Sequence, residues 1–256
     1  MEDRHALTQT VAAEQLEGWQ PTAGEIAALS EFLSGALTFG EYLAPHLGLP
    51  RTGVRHPLLA RRQPYLIPGT AVLRNNFGLV DAVMLARLEF IATAARIGQV
   101  HLRIGQWTPE VRQLHQHVFG DVYPWAGEPR IVELRRGDSA FLDSTEIPKA
   151  LRWLSSEIAE LDDAALTDDA LVFQLARIYS EYNRIHPFRE GNGRTGTLLL
   201  HLLAYRAGRR LDLCGITRAD WIAASRNSMR VRSDGRVDPR PLAALLQGAV
   251  CAAVGR

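Results

Sequence analysis

Lysine is all but missing from this sequence. Of its 29 basic residues 28 are arginine, and Lys149 stands alone. Pro148 precedes that lysine, so no Gly-Lys-Ser/Thr phosphate loop exists and a Walker-type nucleotide hydrolase is excluded. Cysteine is scarce as well. Cys214 and Cys251 form neither a disulfide framework nor a metal-ligand spacing and are expected as reduced thiols. No apolar run reaches the roughly 20 residues of a membrane span. The greasiest stretch, Pro241 to Val254, is short and is broken by Gln247 and Gly248. The opening Met-Glu-Asp-Arg-His lacks the pattern of a secretory signal, so a cytoplasmic setting with no membrane partner is expected.

What is present is ordinary globular material: 256 residues with 46% hydrophobic, 22% charged and 7% aromatic content, which excludes disordered and collagenous classes. Such a length suits one generous domain, or one domain with a small appendage. A net charge of +1 hides an asymmetry. Residues 1–50 hold seven acidic side chains and one basic, whereas the rest holds 28 basic and 21 acidic, so the two parts should attract. The basic excess between Leu202 and Arg256 is assigned to a solvated face, and a nucleic-acid partner is not expected.

Helical periodicity predicts helices over 6–18, 22–36 and 38–47, the middle one with an apolar stripe of Ile26, Leu29, Phe32 and Leu33. A break at Leu49-Pro50-Arg51-Thr52-Gly53 divides residues 1–48 from 49–256. Further helices are expected over 79–98, ending on Gly98; from a Thr108-Pro109-Glu110 start to Phe119; and over 146–161, 168–185, 193–207, 217–229 and 239–254. The period changes only between Arg130 and Leu142, where Ile131-Val132-Glu133-Leu134, a turn at Arg136-Gly137-Asp138, and a second run through Phe141 predict one β-hairpin. The expected fold class is all-α, a mainly helical bundle carrying that hairpin.

The chemistry concentrates in Ile185-His-Pro-Phe-Arg-Glu-Gly-Asn-Gly-Arg-Thr-Gly-Thr197, a polar loop between two buried helices. Gly191 to Gly196 spells a dinucleotide fingerprint, but no strand precedes it and no acidic residue ends a strand some 20 positions on, so that reading is set aside. Gly191, Asn192 and Gly193 open a helix whose first amides and dipole make an anion site. Arg194 in the first turn suits a phosphate, Glu190 supplies a carboxylate for magnesium, and His186 is a base that is neutral near pH 7. Together they imply transfer of part of a nucleoside triphosphate to a hydroxyl group.

His186-Pro-Phe188-Arg-Glu190-Gly191-Asn192-Gly193-Arg194 resembles the motif of the Fic family, and the segments Tyr65 to Gly78 and Phe119 to Gly127 resemble Fic segments too. The resemblance implies a Fic fold and the transfer of AMP from ATP, with Mg2+, to a Ser, Thr or Tyr hydroxyl of a target protein. His186 would take the hydroxyl proton, Phe188 would anchor the loop, and Glu190 would hold the metal. Asn192 with the Gly191 and Gly193 amides would bind the α- and β-phosphates, and Arg194 would grip the γ-phosphate end. The hairpin, Ile131, Val132, Glu133, Leu134 and Phe141 included, resembles the flap that aligns the target by strand addition. One position departs from the motif: a second arginine is expected where this chain has Thr197. Residues 11–21 resemble the inhibitory helix of the small Fic antitoxins, with Glu17-Gly18 at its end and Ala13 where Ser or Thr is usual. Toxin and antitoxin parts would then share one chain, and the helix would be an intramolecular partner. Thr197 keeps two rivals in view, a kinase-like γ-phosphoryl transfer and a binding module without catalysis.

Overall fold

The computed structural model describes residues 2–47, 64–137, 139–161, 166–229 and 237–252, so the expected break at 49–53 lies outside the described residues. Its elements are α1 (Glu2–Glu17), α2 (Ala23–Leu33), α3 (Phe39–Leu47), α4 (Ala82–Leu102), α5 (Val111–Phe119), β1 (Arg135–Arg136), β2 (Ser139–Ala140), α6 (Ile147–Ala159), α7 (Asp168–Ile185), α8 (Asn192–Arg206), β3 (Arg209–Leu211), α9 (Arg218–Ser228), α10 (Arg240–Leu246) and β4 (Val250–Ala252). The helical bundle with a hairpin is the fold that the pattern predicts.

Caps set several starts where the sequence places them. Thr22 and Glu25 form a capping box on α2, and Thr167 and Thr217 cap α7 and α9. Three expectations are corrected. Helix α5 begins after Glu110, whose carboxylate accepts from the Arg112 and Gln113 amides, and not at Thr108-Pro109. Gly98 does not end α4; the helix runs on to Leu102, and Gly98 is glycine because Leu33 packs where a Cβ would stand. The helix expected over 239–254 stops at Leu246, and residues 250–252 turn back to pair antiparallel with β3, Arg209 opposite Ala252 and Leu211 opposite Val250. Two arginines ahead of a leucine carry no alternating signal, so this small sheet was not legible.

One core runs through the molecule. Leu16, Trp19, Leu29, Phe32 and Tyr42 from α1, α2, α3 and their connections are buried with Ile91, Ile97, Leu175, Phe188 and Leu199. Helix α1 lies against α4 and α8, yet its buried face is polar as well as small, with Gln9, Thr10 and Glu14 beside Ala6, Ala12 and Ala13. Gln9 donates to Asp212 at 2.8 Å and accepts from the Leu213 amide at 3.0 Å. The attraction expected between the acidic segment and the basic body appears as Glu25–Arg87 and Glu14–Arg194 ion pairs.

Candidate active site

The polar loop sits between α7 and α8 as its sequence predicts. Helix α7 ends on His186, which adopts a left-handed conformation (φ 47°) that turns the chain sharply into Pro187. Phe188 is wholly buried and stacks on His115 with ring centroids 3.8 Å apart. His115 accepts from the Gly127 amide through Nδ1 and therefore donates from Nε2 to the Glu190 carbonyl at 3.0 Å. Burial holds it neutral, its pKa pushed down to about 3. Gly191 has φ 78° and lies under the Phe119 ring where no Cβ fits. Asn192 staples the loop: its amide nitrogen donates to the Phe188 carbonyl at 2.8 Å and its oxygen accepts from the Phe188 amide at 2.9 Å. These two bonds use the Asn192 oxygen and one of the two N–H groups on its amide nitrogen.

A cleft of about 250 Å³ opens over this loop, lined by Glu17, Phe141, Tyr179, His186, Glu190, Gly191, Gly193 and Trp221 among others. His186 lines this cleft, and its Nδ1 atom is buried. Phe141 of the hairpin stacks on the imidazole at 3.7 Å. Burial first, then Arg136 and Arg130, push the His186 pKa down to about 3, so the ring is a neutral base throughout the physiological range. Glu190 accepts from the Gly191 amide at 3.1 Å through one oxygen, leaving the other for a cation. Burial raises its pKa, with neighbouring Glu89 adding to the effect.

Arg194 and Thr197 are not in the cleft. Arg194 is 4% exposed and is held by Glu89, by Thr93 at 3.1 Å and by Glu14 at 3.7 Å, its guanidinium lying over the Phe90 and Phe119 rings. A buried guanidinium needs carboxylates around it, and two are supplied here. The expected grip of Arg194 on a γ-phosphate is therefore corrected for the conformation in which α1 is docked. Tyr123 completes the cluster through Glu89, and burial pushes Glu14 up to about 8. Thr197 is buried and donates to the Arg194 carbonyl at 2.9 Å. Of the two anchors expected for Glu17, the helix end is the one it takes: its carboxylate covers Gly193, where any side chain would collide with it.

Neither Arg130 nor Tyr65 was singled out by sequence, yet they fix the hairpin to the loop. Arg130 is 1% exposed. Its guanidinium donates to the carbonyls of Val132, Leu142, Ile185 and His186, and its amide donates to the Pro187 carbonyl at 2.7 Å. The Tyr65 hydroxyl accepts from the Ile131 amide at 3.1 Å. With its first residues taken in this way, the hairpin expected over 130–142 narrows to two-residue strands, Arg135 opposite Ala140 and Arg136 opposite Ser139, prolonged by a Phe141 amide to Leu134 carbonyl bond. Ile131 and Glu133 are exposed, while Val132 and Leu134 are half-buried.

Acid should destabilise this fold. His101, His115 and His186 are pushed to about 3 by burial and His201 is lowered well below its ordinary value, so the unfolded chain binds their protons below about 6.5 while the folded chain does not. Glu14 and Glu190 are raised and work in the opposite sense. Four imidazoles outnumber the two carboxyls, so the net effect is a loss of stability as the pH falls from about 6.5 to 4.5. The melting temperature should drop across that window; a flat profile would show that these imidazoles are not held neutral.

Residues 108–204 match the family model described as the Fic/DOC family. A Salmonella typhimurium protein named "Probable protein adenylyltransferase Fic" is 32% identical over 168 residues, 65% of this chain and 84% of that protein. A Sinorhizobium fredii protein, "Probable protein adenylyltransferase y4lH", is 36% identical over 155 residues, 60% of this chain and 81% of its own length. The crystal structure of the effector BepC from Bartonella tribocorum with bound AMPPNP superposes with a TM-score of 0.62 at 19% identity, covering 73% of this chain and 96% of that one.

Proposed function

Since the chain belongs to the Fic/DOC family and is a protein adenylyltransferase, we propose that its reaction runs in the cleft over residues 186–193 and that α1 holds it off. The observation that carries this reading is the juxtaposition, in one cleft, of a neutral His186 and the open end of α8 with Glu17 seated on it.

The target hydroxyl oxygen attacks the α-phosphorus while His186 takes its proton. The bond from that phosphorus to the bridging oxygen breaks, pyrophosphate leaves, and AMP stays on the target. The amides at the start of α8 stabilise charge on the phosphates. A magnesium ion suits the free oxygen of Glu190, since this cation is usually held by one or two carboxylates plus substrate phosphates, and it would neutralise phosphate charge there. The hairpin offers the target an exposed edge beside His186, where strand addition sets register. Glu17 occupies the end of α8 that the phosphates need, so residues 1–48 act as a built-in antitoxin and residues 49–256 as the toxin. Tethering keeps such a helix at an effective concentration of roughly millimolar. Among the described residues no helix is long and apolar enough to cross a membrane.

Incubation with magnesium and ATP labelled at either the α- or the γ-phosphate tests the reaction. Label from the α position should appear on protein, on the chain itself when no target is supplied. Label from the γ position alone would overturn this reading for a kinase, and none from either, with Glu17 removed, for a binding module.

A further inference from the structure

A nucleoside triphosphate brings about four negative charges, while a helix end supplies about half a positive one. Glu190 adds a further negative charge to the cleft. The guanidinium of Arg194 is locked away by Glu89 and Glu14, and Thr197 contributes no charge, so the cation for the terminal phosphates must come from elsewhere.

Among the described residues, four arginines without an ion pair line the cleft: Arg135 and Arg136 on the hairpin, Arg189 in the loop, and Arg218 at the first position of α9. Their places differ. Arg136 is close enough to His186 to depress its basicity, which puts the hairpin pair at the end where the hydroxyl attacks. Arg218 stands at the other end, its Nε 3.3 Å from where a side chain on Gly18 would begin, next to the Glu17 that covers Gly193. In an in-line displacement the leaving pyrophosphate extends away from the attacking oxygen. Gly193 and Arg218 line the same cleft as His186, with Glu17 on Gly193 and Arg218 beside the adjoining Gly18.

The local structure gives Arg218 no other task. Thr217 caps α9 through the Asp220 amide at 3.2 Å and donates to the Asp220 carboxylate at 2.6 Å, so the acid nearest in sequence is already engaged. A cation in the first turn opposes the helix dipole and does nothing for the stability of α9. The side chain is exposed and free to reorient.

We infer that Arg218 binds the terminal phosphates of the nucleotide and makes the cleft select a triphosphate over a monophosphate. The inference rests on the adenylyl-transfer reading above. It extends that reading by assigning the far end of the cleft to a residue outside the loop motif.

The test compares Glu17→Gly with Glu17→Gly/Arg218→Gln and Glu17→Gly/Arg218→Lys, titrating ATP and AMP with magnesium present. Charge-assisted hydrogen bonds of this kind carry about a tenfold to hundredfold change in affinity. Arg218→Gln should weaken ATP binding by that factor and leave AMP binding within about twofold, with Arg218→Lys between. Equal weakening of ATP and AMP, or ATP binding unchanged, overturns the inference. Melting temperatures of all three proteins should agree, since the substitution is exposed; a lower melting point with equal losses assigns Arg218 to structure. If Glu17→Gly itself neither binds ATP nor transfers label, the adenylyl-transfer reading falls and the inference falls with it. Transfer that proceeds with indifference to Arg218 sinks the inference alone.

Discussion

His186→Ala should lower transfer of α-labelled AMP by about a hundred- to ten-thousandfold, the range that a positioned general base contributes. The alanine variant should still bind ATP, because the phosphate contacts lie in the backbone of 191–193 and not in the imidazole. The pH dependence is the sharper measurement. A free imidazole would lose half its base at about pH 6.5. Burial and the Arg136 and Arg130 charges push this one to about 3, so the proton is taken up only far below neutrality. In the Glu17→Gly background kcat/KM should stay level from pH 8 down to about 5, with no break near 6.5. A break there would mean that His186 is solvated in the active conformation and that the Phe141 stack does not persist.

Glu17→Gly should raise the same activity by about tenfold to hundredfold, since a carboxylate on the α8 terminus and a phosphate seek the same amides. The fold should barely change. Glu17 is the last residue of α1, and the helix is held elsewhere by Gln9 and Glu14, so the loss from glycine there is about 1 kcal/mol or less. Removing residues 1–48 altogether is the poorer test. Leu16, Trp19, Leu29, Phe32 and Tyr42 belong to the common core, and their loss would expose it. Should the parent itself transfer label and Glu17→Gly transfer no more of it, the glutamate of α1 is incidental.

The grouping of His186, Glu190 and the glycine-rich helix start, proposed as base, metal carboxylate and anion site, was legible because they fall within nine consecutive residues, where spacing alone brings them together. The placement of Arg194 was not, since its partners lie 105 and 180 positions earlier in the chain, at Glu89 and Glu14. A signal did exist in both cases: Glu89 stands inside the apolar run of α4 and Glu14 on the small-residue face of α1, where an unpaired carboxylate would be costly. Arg218 gave less warning, because an arginine in the first turn of an ordinary surface helix looks solvated until the cleft is seen to open on it. Short strands suffer likewise. Two residues of β1 and three of β3 give no alternation to detect, and their pairing is decided by what lies at their ends.

The clamp at Arg130 has a meaning for how such a chain diversifies. The hairpin depends little on its own ladder, because its root is fastened to the backbone of residues 185–187, and carbonyl and amide groups are the same whatever side chains surround them. Of the positions beyond that root, Arg136 bears on His186 through its charge, while Ile131 and Glu133 are exposed. On the proposed reading, such exposed side chains can drift and the clients can change while His186 keeps its place. Recognition and reaction are thus inherited separately, joined through one guanidinium.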